Sequence, residues 1–387
     1  MNDSAPERRR LAALLAHNGI LTSPWLRAAV EAVPRELFLH PGVFLDEGGV
    51  WRPVTAVGTE PATWLKIAYS YDTLTTQLDG HLTADRASHP LPGVPTSSST
   101  TPATVVGMIE SLDVEAGHHV LEIGTGTGYS TALMCHYLGE DNVTTVEVDP
   151  EVANRADTAL EMAGFSTWTV TGDGLLGHPR RAPYDRVIAT CAVRRIPHTW
   201  VRQTKPGGVI LTTLGSWPYG TGLAKVTVGN DGTAEGGIIG RSSFMQARAQ
   251  AIVPVTGDLS ARTAYMDSAR GSTVSPLALE QWMPAFLAQL AAPGTQFVRA
   301  TRSDGTPLLY LFDPEHESFA EFIAAKGDWT VRQGGPVAIW DAIERALVAW
   351  EGAGSPDITA VRLRVTNTHH SYWIGDDPAL RWEHRLA

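Results

Sequence analysis

The sequence predicts an α/β fold: a mostly parallel sheet covered by helices, with an N-terminal helical and loop cover and a C-terminal α+β extension. Three observations predict it. Short apolar runs alternate with helix-length segments from about Thr104 to Val228, the pattern of repeated βαβ units with right-handed crossovers. Three closely spaced glycines, Gly124, Gly126 and Gly128, follow the first of these runs, and an acid, Glu147, closes the second. Beyond Val228 the texture changes, with six of the twelve tryptophans (Trp282, Trp329, Trp340, Trp350, Trp373 and Trp382) in the last part of the chain.

Taken in order, Glu7 to Phe38 reads as helix with a break at Gly19, and Val43 to Pro102, rich in Thr, Ser and Pro, reads as a long irregular stretch that covers the site. His119 to Ile123 is the first clear strand and Tyr129 to Leu138 its helix. Val143 to Glu147 is a β-branched second strand, after which Asp149-Pro150 starts a helix through Met162, with proline where its missing N–H costs nothing. Val170 and its neighbours, Arg186 to Ala189, and Val209 to Leu211 supply three more strands. Gly229-Asn230-Asp231-Gly232 is a turn signal. Ile339, Ile343, Leu347 and Trp350 fall on one face of an amphipathic helix. The division expected is 1–103 cover and substrate loop, 104–228 core, and 229–387 an auxiliary peptide-recognition or support domain.

The chain has 387 residues, 43% hydrophobic and 18% charged, ample for a sizeable core and unlike a disordered or coiled-coil protein. With 30 basic against 41 acidic residues the net charge is −11, which disfavours nucleic acid and anionic membrane as partners. No apolar run approaches the roughly 20 residues of a spanning helix and no signal core follows the N-terminal arginines, so a cytoplasmic location is expected. Two cysteines, Cys135 and Cys191, make neither a disulfide framework nor a zinc site. His369-His370 would point to opposite faces of a strand, against a metal pair, and no metal is expected. His81 and His89 are loop histidines, and Cys191 has a pocket-lining position without a base to activate it.

A glycine-rich turn between a first strand and its helix lets backbone N–H groups approach a ligand, and an acid ending the second strand can accept from both ribose hydroxyls. Gly124, Gly126, Gly128 and Glu147 fit this Rossmann-like plan. Their G-x-G-x-G spacing, tighter than the G-x-G-x-x-G of dinucleotide enzymes, favours S-adenosylmethionine. Gly172-Asp173-Gly174 after the third strand stands where the crevice would meet an adenine.

These residues resemble the protein L-isoaspartyl (D-aspartyl) O-methyltransferase family over about Leu11 to Val228. The resemblance is carried by Val33-Pro34-Arg35-Glu36-Leu37-Phe38, by Ala68-Tyr69 with Asp72, by Val120 to Tyr129, by Gly172-Asp173-Gly174, by Ala182-Pro183-Tyr184-Asp185-Arg186 and by Lys205-Pro206-Gly207-Gly208. It implies methyl transfer from S-adenosylmethionine to a peptide carboxylate, leaving S-adenosylhomocysteine. It also implies that Ser98, Ser99 and Thr100 form the catalytic loop. Ser99, Thr100, Glu122, Gly124, Thr125, Gly126, Gly128, Tyr129, Glu147, Val148, Gly172, Asp173, Gly174 and Thr190 are then the residues expected to hold the cofactor. Where that family carries Thr-Ile-Ser-x-Pro, this chain has Ser98-Ser99-Thr100-Thr101-Pro102: threonine replaces the key serine and serine replaces an isoleucine. A Ser/Thr run is also what caps an ordinary helix.

That departure, with Leu74 to Gly80, Phe244-Met245 and the C-terminal module, resembles a specialised branch that serves graspetide or lanthipeptide biosynthesis. The implied target is an aspartate of a ribosomally made precursor peptide with acidic residues, crosslinked by an ATP-grasp ligase that is the expected partner, and its methyl ester collapses to an aspartimide. The rival expectations are general isoaspartate repair, a peptide-binding module with a vestigial core, and a nicotinamide-dependent oxidoreductase.

Overall fold

The computed structural model describes residues 3–263, 265, 267–301, 305, 307–325 and 328–386. Contacts divide the chain into two units, Met1–Cys191 with Thr199–Leu211, and Ala192–His198 with Thr212–Ala387. The sequence-based boundaries at 103 and 228 fall elsewhere, because the segment before residue 104 shares its core with the βαβ block.

The first unit opens on α1 (Ala5–His17) and α2 (Pro24–Ala32), each with proline in its first turn. Leu11, Ala12 and Leu15 of α1 and Leu26, Ala29 and Val30 of α2 are buried, and Gly19 breaks the two apart at φ +71°. Strands β1 (Gly42–Asp46) and β2 (Trp51–Thr55), helix α3 (Pro61–Ala68), then β3 (Leu74–Leu78) and β4 (Pro95–Ser99) follow. The strands form an antiparallel sheet of order β2-β1-β3-β4.

This corrects the expectation of an irregular stretch from Val43 to Pro102. All five residues of β3, Leu-Thr-Thr-Gln-Leu, are buried, and two of its three polar members bond to other side chains: Thr76 Oγ1 donates to Ser97 Oγ (3.1 Å), and Thr96 Oγ1 donates to Gln77 Oε1 (2.8 Å). A buried strand satisfied by such a network shows no alternation of apolar and polar residues, so periodicity misses it.

Helix α4 (Pro102–Ser111) leads into β5 (Val120–Ile123), α5 (Tyr129–Leu138), β6 (Val143–Glu147), α6 (Pro150–Met162), β7 (Trp168–Thr171), β8 (Tyr184–Val193), α7 (His198–Gln203) and β9 (Thr204–Leu214). β5 pairs in parallel with β6 and β8, and β6 with β7, giving the order β7-β6-β5-β8-β9. The order reverses beside β5, which places a crevice outside the carboxyl ends of β5 and β8, where open α/β sheets bind ligands. The sequence placed α5, α6 and β6 at the bounds observed.

In the second unit β10 (Gly222–Val228) and β11 (Ala234–Arg241) form a hairpin about the Gly229–Gly232 turn. Helix α8 (Leu259–Arg262), β12 (Ser268–Gly271), α9 (Trp282–Ala291), β13 (Gln296–Thr301), β14 (Pro307–Asp313), β15 (Ser318–Ala325), β16 (Asp328–Gly334), α10 (Ile339–Gly352), β17 (Val361–Val365), β18 (His369–Ile374) and β19 (Arg381–Arg385) complete it. β12-β16-β15-β14-β13 is a separate five-stranded sheet, while β11, β17, β18 and β19 pair antiparallel in that order. Helix α10 buries Ile339, Trp340, Ile343 and Leu347. Of the six late tryptophans Trp340 is fully buried and the other five are half-buried.

Candidate active site

The turn after β5 is held open by its glycines. Gly124, Gly126 and Gly128 have φ of +89°, +55° and +87°, a region that side chains with a Cβ rarely adopt. A Cβ on Gly124 would lie 2.9 Å from Thr190 Oγ1, and one on Gly128 would press on Ala156 and Leu160 of α6 at 3.4 Å. Gly126 differs, because the nearest atom to its would-be Cβ is the Ser98 carbonyl oxygen, at 3.7 Å. The turn is therefore packed on the α6 side and open beside β4.

Glu147, at the end of β6, is 8% exposed. Its Oε2 accepts from Gly126 N (3.0 Å) and its Oε1 from Asp149 N (3.1 Å). Each carboxylate oxygen has a second lone pair, so two further donors fit. Val148, beside it, is 44% exposed, an apolar surface in a position to meet a flat ring. At the end of β7, Gly172 donates to the Glu147 carbonyl (2.8 Å), and a Cβ on Gly172 would meet nothing within 4 Å. Asp173 is exposed and spends one oxygen on Leu175 N (2.9 Å), leaving the other. Gly174 cannot take a side chain, since its Cβ would lie 2.5 Å from Ile123 Cγ2. Open backbone at Gly126 and Gly172, a fixed acid between them and a second acid beyond fit an adenosyl group.

Four expected cofactor residues play other parts. Glu122 is fully buried and accepts from Ser130 Oγ, Thr131 Oγ1 and Thr145 Oγ1. Burial pushes its pKa up although the three hydroxyls oppose this. It fastens α5 and β6 to β5 and has no face open to a ligand. Thr125 is buried, with its hydroxyl on Thr145 Oγ1 (2.7 Å). Thr190 directs its hydroxyl to the Gly124 carbonyl. Tyr129 sends its ring away from the turn, edge-on to Phe38 at 5.8 Å, and burial lifts its pKa to about 12, so only its backbone at the start of α5 is available.

The Ser/Thr segment also divides. Ser98 sits on β4 opposite Thr75, and Thr100 follows the strand. Both are half-buried, and among the described residues no hydrogen bond engages either hydroxyl. Ser99 is 3% exposed and accepts at Oγ from Arg35 Nη2 (3.3 Å), so its hydroxyl anchors the strand end and does not face the turn. Thr101 occupies the position before α4, yet its hydroxyl donates to the Tyr71 carbonyl (2.8 Å) and makes no cap. The run is thus more than a helix cap. The Ser98 carbonyl against Gly126 brings the strand end and the glycine turn together.

Sequence reasoning gave Arg35 and Gln77 no role. Arg35, fully buried, also donates to the carbonyls of Ala68 (2.6 Å), Ser70 (3.3 Å) and Thr100 (3.4 Å). Gln77, fully buried on β3, donates to Asp149 Oδ2 at 3.2 Å, and Asp149 in turn caps α6 through Glu151 N and Val152 N. A polar residue inside an apolar or Thr-rich run is the signal that could have found them.

The remaining candidates recede. Cys191 is a thiol whose pKa burial pushes to about 12. His81 and His89 are exposed. His370 is buried with Nε2 on the Ile196 carbonyl (3.1 Å), and no group of three metal-ligating side chains occurs among the described residues. No helix among them is long and apolar enough to cross a membrane.

Residues 87–246 match the family described as Protein-L-isoaspartate(D-aspartate) O-methyltransferase (PCMT). A protein-L-isoaspartate O-methyltransferase of Azorhizobium caulinodans is 32% identical over 220 residues, 56% of this chain and 82% of that relative. One from Ignicoccus hospitalis is 39% identical over 131 residues, 33% of this chain, and the match spans 62% of that relative's length. Among solved structures, a protein-L-isoaspartate O-methyltransferase aligns with 95% of this chain and all of its own at TM-score 0.55 and 21% identity, a likeness of fold. The fold is that of S-adenosylmethionine-dependent methyltransferases.

Proposed function

Because the chain belongs to the protein-L-isoaspartate(D-aspartate) O-methyltransferase family, we propose that it transfers the methyl group of S-adenosylmethionine to a side-chain or isopeptide carboxylate of a peptide. The observation that carries this reading is the approach of the Ser98 carbonyl to Gly126, which brings the end of β4, with Ser98 and Thr100, beside the open turn. Glu147 would hold the ribose, Asp173 the adenine and the 124–128 backbone the methionine portion of the cofactor, which supplies an electrophilic sulfonium methyl.

A carboxylate is ionised at neutral pH and needs no base. What remains for the protein is alignment and exclusion of water. Ser98 and Thr100 hydroxyls donate to the carboxylate oxygen that does not react, and the buried β3–β4 pair behind them holds their positions. Cys191, kept as a thiol, takes no part.

The names of the relatives support an isoaspartyl residue as the acceptor. A second reading is favoured by the Ser98-Ser99-Thr100 sequence, where an inward Ser99 bonded to Arg35 stands in place of an apolar side chain. On that reading the acceptor is an aspartate of a crosslinked precursor peptide of graspetide type, received from an ATP-grasp ligase. Attack of the next backbone nitrogen on the ester then expels methanol and leaves an aspartimide. Mass spectrometry of an isoaspartyl peptide and a crosslinked graspetide, each incubated with enzyme and S-adenosylmethionine, separates them. Methylation of the isoaspartyl peptide alone is expected for repair. Gain of one methyl followed by loss of methanol on the graspetide alone establishes the second reading, and methylation of neither overturns both.

A further inference from the structure

Arg35 is a cation buried beside the segment that would bind an anion. Its guanidinium meets only neutral acceptors, the Ser99 hydroxyl and the carbonyls of Ala68, Ser70 and Thr100, and it forms no ion pair among the described residues. Its Nε is buried with no partner, as is Tyr129 Oη, whose ring lies 6.0 Å from the guanidinium carbon. The nearby carboxylate of Glu36 is engaged by the Tyr69 hydroxyl, and Asp72 is exposed. Burial lowers the Arg35 pKa to about 10, which leaves it charged at neutral pH.

Burying a charge without a counter-ion is costly, and structural anchoring of a turn needs only neutral donors. The low-dielectric surroundings that make the charge costly also extend its field toward the adjacent loop.

We propose that Arg35 is the positioning residue that makes this site selective for a carboxylate: it holds the Ser99–Thr100 segment in place through the Ser99 hydroxyl and the Thr100 carbonyl and supplies positive potential to an anionic acceptor bound there. The inference rests on the carboxyl-methylating reading above. Because the acceptor loses its charge as the methyl is transferred, the field acts more strongly on the bound carboxylate than on the product ester. The effect therefore falls mainly on KM, and an uncharged analogue of the acceptor does not feel it.

The test compares wild type with Arg35→Lys, Arg35→Met and the surface variant Asp72→Asn. It uses an isoaspartyl peptide as substrate and the same peptide with a carboxamide in place of the acceptor carboxylate as inhibitor. Turnover by wild type establishes the underlying reading, and its absence overturns that reading and this inference together. Given turnover, Arg35→Met is expected to raise KM about tenfold and the carboxamide Ki by a clearly smaller factor, with S-adenosylhomocysteine affinity near wild type. Arg35→Lys, which keeps the charge and loses the fork, should retain most of the preference for carboxylate over carboxamide. Asp72→Asn, which removes an opposing charge, should lower KM by about twofold. Equal losses for carboxylate and carboxamide peptides in both Arg35 variants would reduce Arg35 to a structural anchor. Should neither Arg35 variant fold, a wild-type carboxamide Ki equal to the KM of the carboxylate peptide would overturn the electrostatic role by itself.

Discussion

Glu122 and Glu147 lie on neighbouring parallel strands, one on β5 opposite Thr145 and the other two residues further along β6, yet the molecule uses them in opposite ways. Glu122 is fully buried among three hydroxyls. Hydroxyls rotate to suit whatever they meet, so they close over the carboxylate and tie α5 and β6 to β5. Glu147 is gripped by two backbone amides, Gly126 N and Asp149 N, whose directions are set by the turn and by the start of α6. Fixed donors on one side leave the other side of the carboxylate free. The same residue type becomes a fastener or keeps acceptor capacity for further donors according to whether its donors are mobile side chains or fixed backbone.

The largest effect that can break this contrast lies in cofactor binding. If Glu147 accepts from two ribose hydroxyls, at roughly 1.5 kcal/mol for each bond to a charged acceptor, Glu147→Ala weakens S-adenosylhomocysteine by about 100-fold. Thr100→Ala should leave that affinity near wild type while lowering kcat about tenfold. Calorimetry beside steady-state rates gives both numbers, and equal loss of cofactor affinity in the two variants would dissolve the distinction between turn and strand end.

A smaller effect sharpens the Glu122 half. Its pKa in the folded chain is raised by burial, so its contribution to stability is fully present below the unfolded value of about 4.3 and is lost as pH rises through the folded pKa. Glu122→Gln removes that loss while keeping the shape. The variant should therefore gain on wild type in Tm as pH rises above the unfolded value. A Tm difference independent of pH would mean that Glu122 titrates no differently in the folded and unfolded chain.

What could be read in advance follows the same division. The turn of Gly124, Gly126 and Gly128 and the strand-end position of Glu147 were legible because a left-handed turn needs glycine and an acid closing a β-branched run leaves a local mark. So were the bounds of α5 and α6, one opened by a glycine and the other by Asp149-Pro150. The fastening role of Glu122 was not legible because a buried acid and an open one look alike inside an apolar strand; only the hydroxyls of Ser130, Thr131 and Thr145, brought together by folding, separate them. The sheet from Val43 to Ser99 was illegible since β3 is buried while carrying Thr75, Thr76 and Gln77, and no periodicity reports side chains that satisfy one another across strands. Arg35 lies within the Val33–Phe38 motif, but its use depends on Ser99 and Thr100, far along the chain.

Gln77 offers the finest test, because it joins the two regions. Its amide N–H reaches Asp149 Oδ2 at 3.2 Å and its Oε1 takes the Thr96 hydroxyl, while Asp149 N holds Glu147. The β3–β4 pair and the acid of the crevice thus share one chain of bonds, and loosening its middle should be felt at both ends. Gln77→Ala is expected to raise the S-adenosylhomocysteine Kd and the peptide KM by about threefold each, the size of one net hydrogen bond. Gln77→Leu, which fills the space without the bonds, should behave the same way, which sets the loss of bonding apart from a cavity. If only one constant moves, the strand end and the crevice are adjacent but independent, and the positions of the Ser98 and Thr100 hydroxyls must be fixed from the Arg35 side alone.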